Sequence, residues 1–116
     1  MEKTLEINGK SIKFKSTGAF LIKYKSLTGE DPIKALSQLE NMSDIENADL
    51  TTLYKLIWAL AKTADDSIGD IEEWYDSFEF FPIGDVVLEL QDFLTKSFIS
   101  NISIKKDIKK NPIPKN

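Results

Sequence analysis

Residues 49–64, DLTTLYKLIWALAKTA, decide the fold, because apolar side chains recur there every three or four positions. Such spacing predicts an amphipathic helix, which we call the central helix. Its apolar stripe comprises Leu50, Leu53, Tyr54, Ile57, Leu60, Ala61 and Ala64. Leu56 and Trp58 lie outside this stripe, at roughly 100° on either side of it around the helix axis. So wide an apolar arc indicates a helix that packs on several sides or one that reserves a flank for a partner.

Two more helices are predicted downstream of the central helix. A helix over about residues 70–79 places on one face the apolar side chains of Ile71, Trp74, Tyr75 and Phe78. Phe80 and Phe81 mark a break, and Pro82 suits the first turn of a last helix over residues 82–98. The inward face of that last helix carries Ile83, Val86, Val87, Leu90, Phe93, Leu94 and Phe98. Leu88 falls instead among carboxylates, so we expect an exposed apolar side chain there.

The first 40 residues predict a hairpin and two helices. Residues 4–7 and 11–14 alternate apolar with polar, and Asn8-Gly9 between them tolerates the positive φ angles of a tight turn, so the hairpin spans residues 3–15. Two strands alone are marginally stable, and a helix over residues 17–28 can cover their apolar face. Asp31-Pro32 then begins a helix over residues 31–40, and an acidic loop follows it up to the central helix.

These elements predict a mainly α-helical protein with minor β structure. An N-terminal β-hairpin and about five helices pack as one small compact domain over residues 1–98. Residues 99–116 accumulate lysine and end in Asn-Pro and Ile-Pro dipeptides, so we expect a C-terminal tail or a segment that becomes ordered only on assembly. A chain of 116 residues suffices for one modest core.

Composition excludes several classes of protein. The chain contains no cysteine and no histidine, which argues against zinc fingers, iron–sulfur clusters, thiol nucleophiles and histidine general bases. No apolar run reaches the length of a signal peptide or of a membrane span, so we expect a soluble protein of an intracellular compartment.

Charge is segregated along the chain. Residues 40–92 carry two lysines against fourteen acidic residues, whereas residues 93–116 carry six lysines against one acidic residue. All 15 basic side chains are lysines, so the bidentate arginine fork that recognises phosphates and guanines is missing. The missing arginine fork therefore argues against nucleic-acid recognition. Residues 1–39 carry seven lysines against four acidic residues, so the acidic middle has a basic end on either side.

The acidic run from Asp65 to Glu73 clusters the oxygen ligands that Ca²⁺ and Mg²⁺ prefer. An EF-hand loop that started at Asp65 would need glycine at its sixth position and glutamate at its twelfth, where Asp70 and Asp76 stand. The run therefore reads as a solvated helix face, and we expect neither a metal nor a cofactor. No phosphate loop or nucleophile elbow accompanies these acids, so we expect no enzyme. The opposing hypothesis, a carboxylate-based enzyme, predicts a thermal shift that depends on a divalent metal.

Three stretches together resemble a known family. They are residues 7–36, INGKSIKFKSTGAFLIKYKSLTGEDPIKAL, residues 49–68, DLTTLYKLIWALAKTADDSI, and residues 70–98, DIEEWYDSFEFFPIGDVVLELQDFLTKSF. Their order is similar to that of the tail assembly chaperones of long-tailed phages and prophages of Gram-positive bacteria. The resemblance covers about residues 3–98 and concerns patterns of fold, with no catalytic motif.

The resemblance implies a helical, non-enzymatic chaperone that acts in the bacterial host cytoplasm and is absent from the mature virion. Its partners would be the tape measure protein, which it keeps soluble, and the tail tube protein, reached through a longer frameshifted form. Lys109-Lys110-Asn111 is what AAA-AAA-AAC encodes, a run on which ribosomes can slip, and the gene sequence tests this. The alternative is a virion structural component such as a head–tail adaptor or a tail terminator, which mass spectrometry would detect in purified particles.

Partner binding requires apolar side chains that the core leaves free. The sequence offers five candidates for client capture: Leu56, Trp58, Phe80, Phe81 and Leu88. Self-association into a ring or spiral would let many short copies cover one long client. Attraction between basic ends and acidic middles is one source of such association, and it is expected to weaken as salt rises.

Overall fold

The structure, a computed structural model, describes residues 1–40 and 49–102. Within them, the chain is mainly helical and forms an antiparallel hairpin followed by five helices, as the sequence predicts. The strands are β1 (Glu2–Ile7) and β2 (Lys10–Lys15), and the helices are α1 (Phe20–Thr28), α2 (Pro32–Glu40), α3 (Leu50–Ala64), α4 (Ile71–Asp76) and α5 (Ile83–Ile102).

The hairpin turn has the geometry that the sequence predicts. Asn8 and Gly9 take φ angles of 54° and 79°, and Ile7 pairs with Lys10 across the turn. This register puts the buried Ile7 and Phe14 on one face of the sheet. That face packs through β2 against α3, and not chiefly against α1 as the sequence suggested. The reason is that α3 is apolar around most of its circumference, so it can serve several neighbours at once.

The central helix α3 lies in the middle of the fold. Asp49 caps its first turn by accepting a hydrogen bond from the Thr52 amide at 3.3 Å. It packs against β2, α1, α2, α4 and α5. Its flanking residues Leu56 and Trp58 are 0% and 6% exposed, so both belong to the core. Of the two interpretations of its wide apolar arc, packing on several sides is the one that holds in this structure.

Some element boundaries differ from the predicted ones. Helix α1 begins at Phe20 and not at residue 17, because the Thr17 hydroxyl accepts a hydrogen bond from the Ala19 amide at 3.2 Å and holds a turn there. Helix α4 ends at Asp76, where the Ser77 hydroxyl donates to the Trp74 carbonyl at 2.6 Å. Helix α5 continues through Ile102, four residues into the predicted tail. Most of the predicted acidic loop, residues 41–48, and residues 103–116 of the tail lie outside the described residues.

Candidate docking groove

The segment that links α4 to α5 presents an exposed aromatic side chain. Phe80 is 62% exposed, although its backbone amide is fixed by a hydrogen bond to the Asn8 side-chain oxygen at 3.2 Å. Beside it, the Lys10 ammonium donates to the Ser77 carbonyl at 2.8 Å and lies 4.9 Å from the centre of the Phe78 ring. The hairpin turn therefore holds this linker in place while the Phe80 ring faces solvent.

Phe80 stands at the end of a groove between β1 and the first turns of α5, which we call the β1–α5 groove. It has a volume of about 440 Å³. Its apolar lining includes Leu5 and Ile7 from β1 and Val86 from α5, with Phe80 and Pro82 at one end. Ile7 and Val86 are buried and close its floor, while the half-buried Leu5 and Pro82 and the exposed Phe80 supply the apolar surface that solvent reaches. An apolar surface open to solvent in this way is suited to another polypeptide.

Carboxylates surround this apolar floor. Glu6, Asp85 and Glu89 line the groove, and all three are exposed. Within residues 1–40 and 49–102, the lysine–carboxylate pairs closer than 4 Å involve other acids, so no lysine neutralises these three. Glu6 accepts a hydrogen bond from the Ser11 hydroxyl, a neutral group, at 3.0 Å. The groove therefore combines an apolar floor with a local excess of negative charge.

A second, separate depression lies between the N-terminal end of the hairpin and the middle of α5. It has a volume of about 350 Å³ and is lined by Met1, Glu2, Lys3, Asp92, Phe93 and Lys96. Its acids are paired, because Lys96 lies 3.0 Å from Asp92 and Lys13 lies 3.8 Å from Glu2. The acids of the β1–α5 groove differ from these in having no such lysine partner in the described chain.

A cluster of aromatic rings anchors Phe81, the residue that follows Phe80 in the chain. Phe81 is half-buried, and the centre of its ring lies 4.8 Å from that of Tyr75 and 5.1 Å from that of Phe78, both edge-on. The Tyr75 hydroxyl donates to the Tyr54 carbonyl at 2.5 Å and ties α4 to α3. A capping box between Asp70 and Glu73 begins α4. These contacts rigidify the wall that carries Phe80.

Two of the five predicted capture residues remain exposed. Phe80 and Leu88 are 62% and 63% exposed. Phe81 packs into the aromatic cluster, and Leu56 lies in the core of α3. Trp58 also lies in the core, where its indole N–H donates to the Gly69 carbonyl at 3.2 Å. The structure therefore does not present Leu56 or Trp58 to a partner, because the neighbours of α3 already cover both flanks.

Leu88 belongs to a different surface from Phe80. It faces away from the core on α5, in line with Thr95 and Ile102, which follow at intervals of seven residues, and with the exposed Ile99. Leu88 does not line the β1–α5 groove. Asp85 and Glu89, which line the groove, and Leu88, which does not, thus lie on neighbouring faces of α5.

The groove residues Leu5, Glu6 and Val86 were not singled out from the sequence. Leu5 and Val86 look like ordinary core positions of a strand and a helix, and Glu6 looks like an ordinary solvated charge. Only the non-local approach of β1 to α5 brings them together. The Asn-Gly turn and Pro82 fix the ends of the two elements, but neither signal indicates that they lie side by side.

Shifted pKa values in the described chain arise from structural contacts outside the groove. Burial raises the pKa of Tyr24 to about 12 and moves that of Tyr75 further above its usual value. A hydrogen bond from Lys55 lowers the pKa of Glu30, and the two side chains form an ion pair at 2.9 Å. Among residues 1–40 and 49–102, no three acidic side chains gather in a group that could hold a metal ion. The arrangement of the groove is suited to binding.

Comparison with protein-family models, with characterised proteins and with solved structures finds no match to this chain. None of the helices in the described part of the chain is both long enough and apolar enough to cross a membrane.

Proposed function

We propose that this protein is a phage tail assembly chaperone that binds the tape measure protein, keeps it soluble and assists assembly of the tail tube. The observation that carries the proposal is the exposed Phe80 ring beside an apolar floor with unneutralised carboxylates. The resemblance over residues 3–98 supplies the class of client, a very long helical protein, and the groove supplies a surface suited to it.

The groove matches the chemistry of an amphipathic helix. Such a helix presents an apolar side chain roughly every 5.4 Å, one turn, along one face. The groove follows the chain from Pro82 to Glu89, about 10 Å at 1.5 Å per residue, or about two turns of a client helix. Apolar side chains of the client would lie on Leu5, Pro82 and Phe80, and client lysines or arginines would meet the acidic rim.

Leu88 provides a second contact on the outer face of α5. Because it faces away from the core, it can meet another segment of the client or a second copy of this chain. Many copies along one client, associated in a ring or spiral, would cover its apolar surface in a way that one copy cannot. Binding and shielding require no covalent chemistry, so the proposed role is non-enzymatic and places the protein in the host cytoplasm during assembly.

The proposal is tested by co-expression with the tape measure protein encoded by the neighbouring long reading frame. Wild-type protein is expected to move the client into the soluble fraction, and Phe80→Ser is expected to reduce that fraction. Ile22→Ser is the matched control, because Ile22 is 76% exposed on α1 and does not line the groove. Both variants expose a serine in place of a solvent-facing apolar side chain, so their stabilities should remain alike.

Two results would contradict the proposal. If the client is equally insoluble with and without the wild-type protein, the protein is not a chaperone for it. If Phe80→Ser and Ile22→Ser lower the amount of soluble client equally, the protein acts as a chaperone but the groove is not its capture site.

A further inference from the structure

A pocket with a volume of about 350 Å³ lies between the first half of α3 and α4. It is separate from the β1–α5 groove, whose lining residues are all different. We call it the tyrosine corner, and its lining includes Tyr54 and Lys55 from α3 and Ile71, Glu72, Tyr75 and Asp76 from α4. We propose that the tyrosine corner binds an arginine side chain of a partner protein. The inference does not depend on the proposed client or on Phe80.

Two aromatic rings form the walls of the tyrosine corner. The centres of the Tyr54 and Tyr75 rings lie 4.9 Å apart, and the ring planes meet at 85°. Both side chains are half-buried, and the Tyr75 hydroxyl donates a hydrogen bond to the Tyr54 carbonyl at 2.5 Å, which joins the two helices. The half-buried Ile71 adds an apolar side chain. A cation in the angle between perpendicular rings can lie over a ring face, where it is attracted to the π electrons.

Two carboxylates line the pocket beside the rings. Glu72 and Asp76 are exposed and stand four residues apart on α4, so they share one face of that helix. Within residues 1–40 and 49–102, the lysine–carboxylate pairs closer than 4 Å involve other acids. Lys55 also lines the pocket, but its ammonium pairs with Glu30 at 2.9 Å. The described chain therefore leaves two negative charges in the tyrosine corner without a lysine partner.

This placement of charge is unfavourable for α4 by itself. Like charges four residues apart on a helix repel each other, and an acid in the last turn also meets the negative end of the helix dipole. Asp76 is the last residue of α4, and the sequence of that helix contains no basic residue. By contrast, Asp70 and Glu73 stabilise α4 through its capping box. A cation between Glu72 and Asp76 would relieve both unfavourable interactions, so the charges favour a cationic occupant.

Arginine suits the tyrosine corner better than lysine does. A guanidinium is planar, so it can stack on an aromatic ring while its N–H groups donate to a carboxylate, whereas an ammonium is a compact and strongly hydrated charge. The methylene stem of the arginine would pack against Ile71. All 15 basic side chains of this chain are lysines, so the arginine must belong to a different protein and not to a second copy.

Chemical-shift titration of the isotope-labelled full chain with three blocked tripeptides tests the proposal. Each peptide has one residue between two alanines: arginine, citrulline, which has nearly the same shape without the charge, or lysine, which has the charge without the planar group. At constant ionic strength, the arginine peptide is expected to shift the backbone amides of Glu72, Tyr75 and Asp76. The lysine peptide is expected to bind about threefold more weakly, and the citrulline peptide to leave these amides unshifted.

Two pairs of substitutions test the carboxylates. Glu72→Gln with Asp76→Asn removes both charges from the tyrosine corner and is expected to weaken binding of the arginine peptide about fivefold. Asp66→Asn with Glu79→Gln is the matched control, because it removes the same charge from exposed positions outside the pocket and is expected to leave binding unchanged. All four side chains are exposed, so both variants should give the amide spectrum of a folded chain.

The amides of Glu6 and Glu89 in the β1–α5 groove report on attraction of the peptide to acids in general. They are expected to shift only at higher peptide concentrations than the amides of the tyrosine corner. The proposal is overturned if the corner amides do not shift with the arginine peptide, or if the citrulline or lysine peptide binds equally well. Equal weakening by the two pairs of substitutions, or shifts in the groove at the same concentration, would also overturn it.

Discussion

Truncation of Leu56 and Leu88 to alanine distinguishes a core position from a proposed capture surface by the loss of stability that each variant shows. Leu56 and Leu88 are both apolar candidates on helices, but one is 0% exposed and the other is 63% exposed. Leu56→Ala removes a fully enclosed side chain and leaves a cavity, so the expected loss in the free energy of unfolding is about 3 kcal/mol.

The expected loss for Leu88→Ala is much smaller. Full burial of a leucine contributes about 2 kcal/mol, so the covered third of Leu88 contributes about 0.7 kcal/mol. Alanine regains about 0.2 kcal/mol through its helix propensity, which leaves a net loss of about 0.5 kcal/mol. At an m value of about 1.5 kcal/mol per molar urea, the midpoints should fall by about 2 M for Leu56→Ala and by about 0.3 M for Leu88→Ala.

Urea unfolding followed by tryptophan fluorescence measures both shifts, because Trp58 and Trp74 are buried and become solvated on unfolding. In the co-expression assay, Leu88→Ala is expected to lower the soluble fraction of the client while the protein itself stays folded. Similar midpoint shifts for the two variants would refute the assignment of Leu56 to the core and of Leu88 to the surface.

Four shorter predictions concern local contacts and assembly. Asp70→Ala removes the capping box of α4 and should lower the free energy of unfolding by about 1 kcal/mol in urea titrations, with Asp66→Ala as a near-neutral control. Asn8→Ala removes both a residue suited to positive φ and the hydrogen bond to the Phe80 amide. This variant should lower the free energy of unfolding by about 1–2 kcal/mol in the same urea titrations. Because burial raises the pKa of Tyr24 to about 12 and that of Tyr75 above 10, the unfolded chain releases these protons first. Stability is therefore complete below pH 10 and falls as the pH rises from 10 through 12, and urea midpoints measured across that range should decline. If oligomers form through basic ends and acidic middles, their mass in light scattering should decrease from low to high salt, and constant mass would exclude an electrostatic contact.

Local sequence signals predicted most of the elements. Asn8-Gly9 specifies its turn because the two residues must take positive φ angles, which few other residues tolerate. The spacing of Ile71, Trp74 and Tyr75 specifies the inward face of α4 because helical periodicity depends only on neighbours along the chain. These features are local, so a single sequence contains enough information to find them.

Exposure could not be predicted in the same way. The positions of Leu56 and Trp58 on α3 predict an apolar flank, but their exposure depends on how many other elements reach that flank. The hairpin and four helices pack around α3, so Leu56 and Trp58 are both buried. Phe80 differs, because Asn8 holds its backbone while its ring stays 62% exposed among the described elements. Both outcomes depend on contacts between residues that are distant in the sequence.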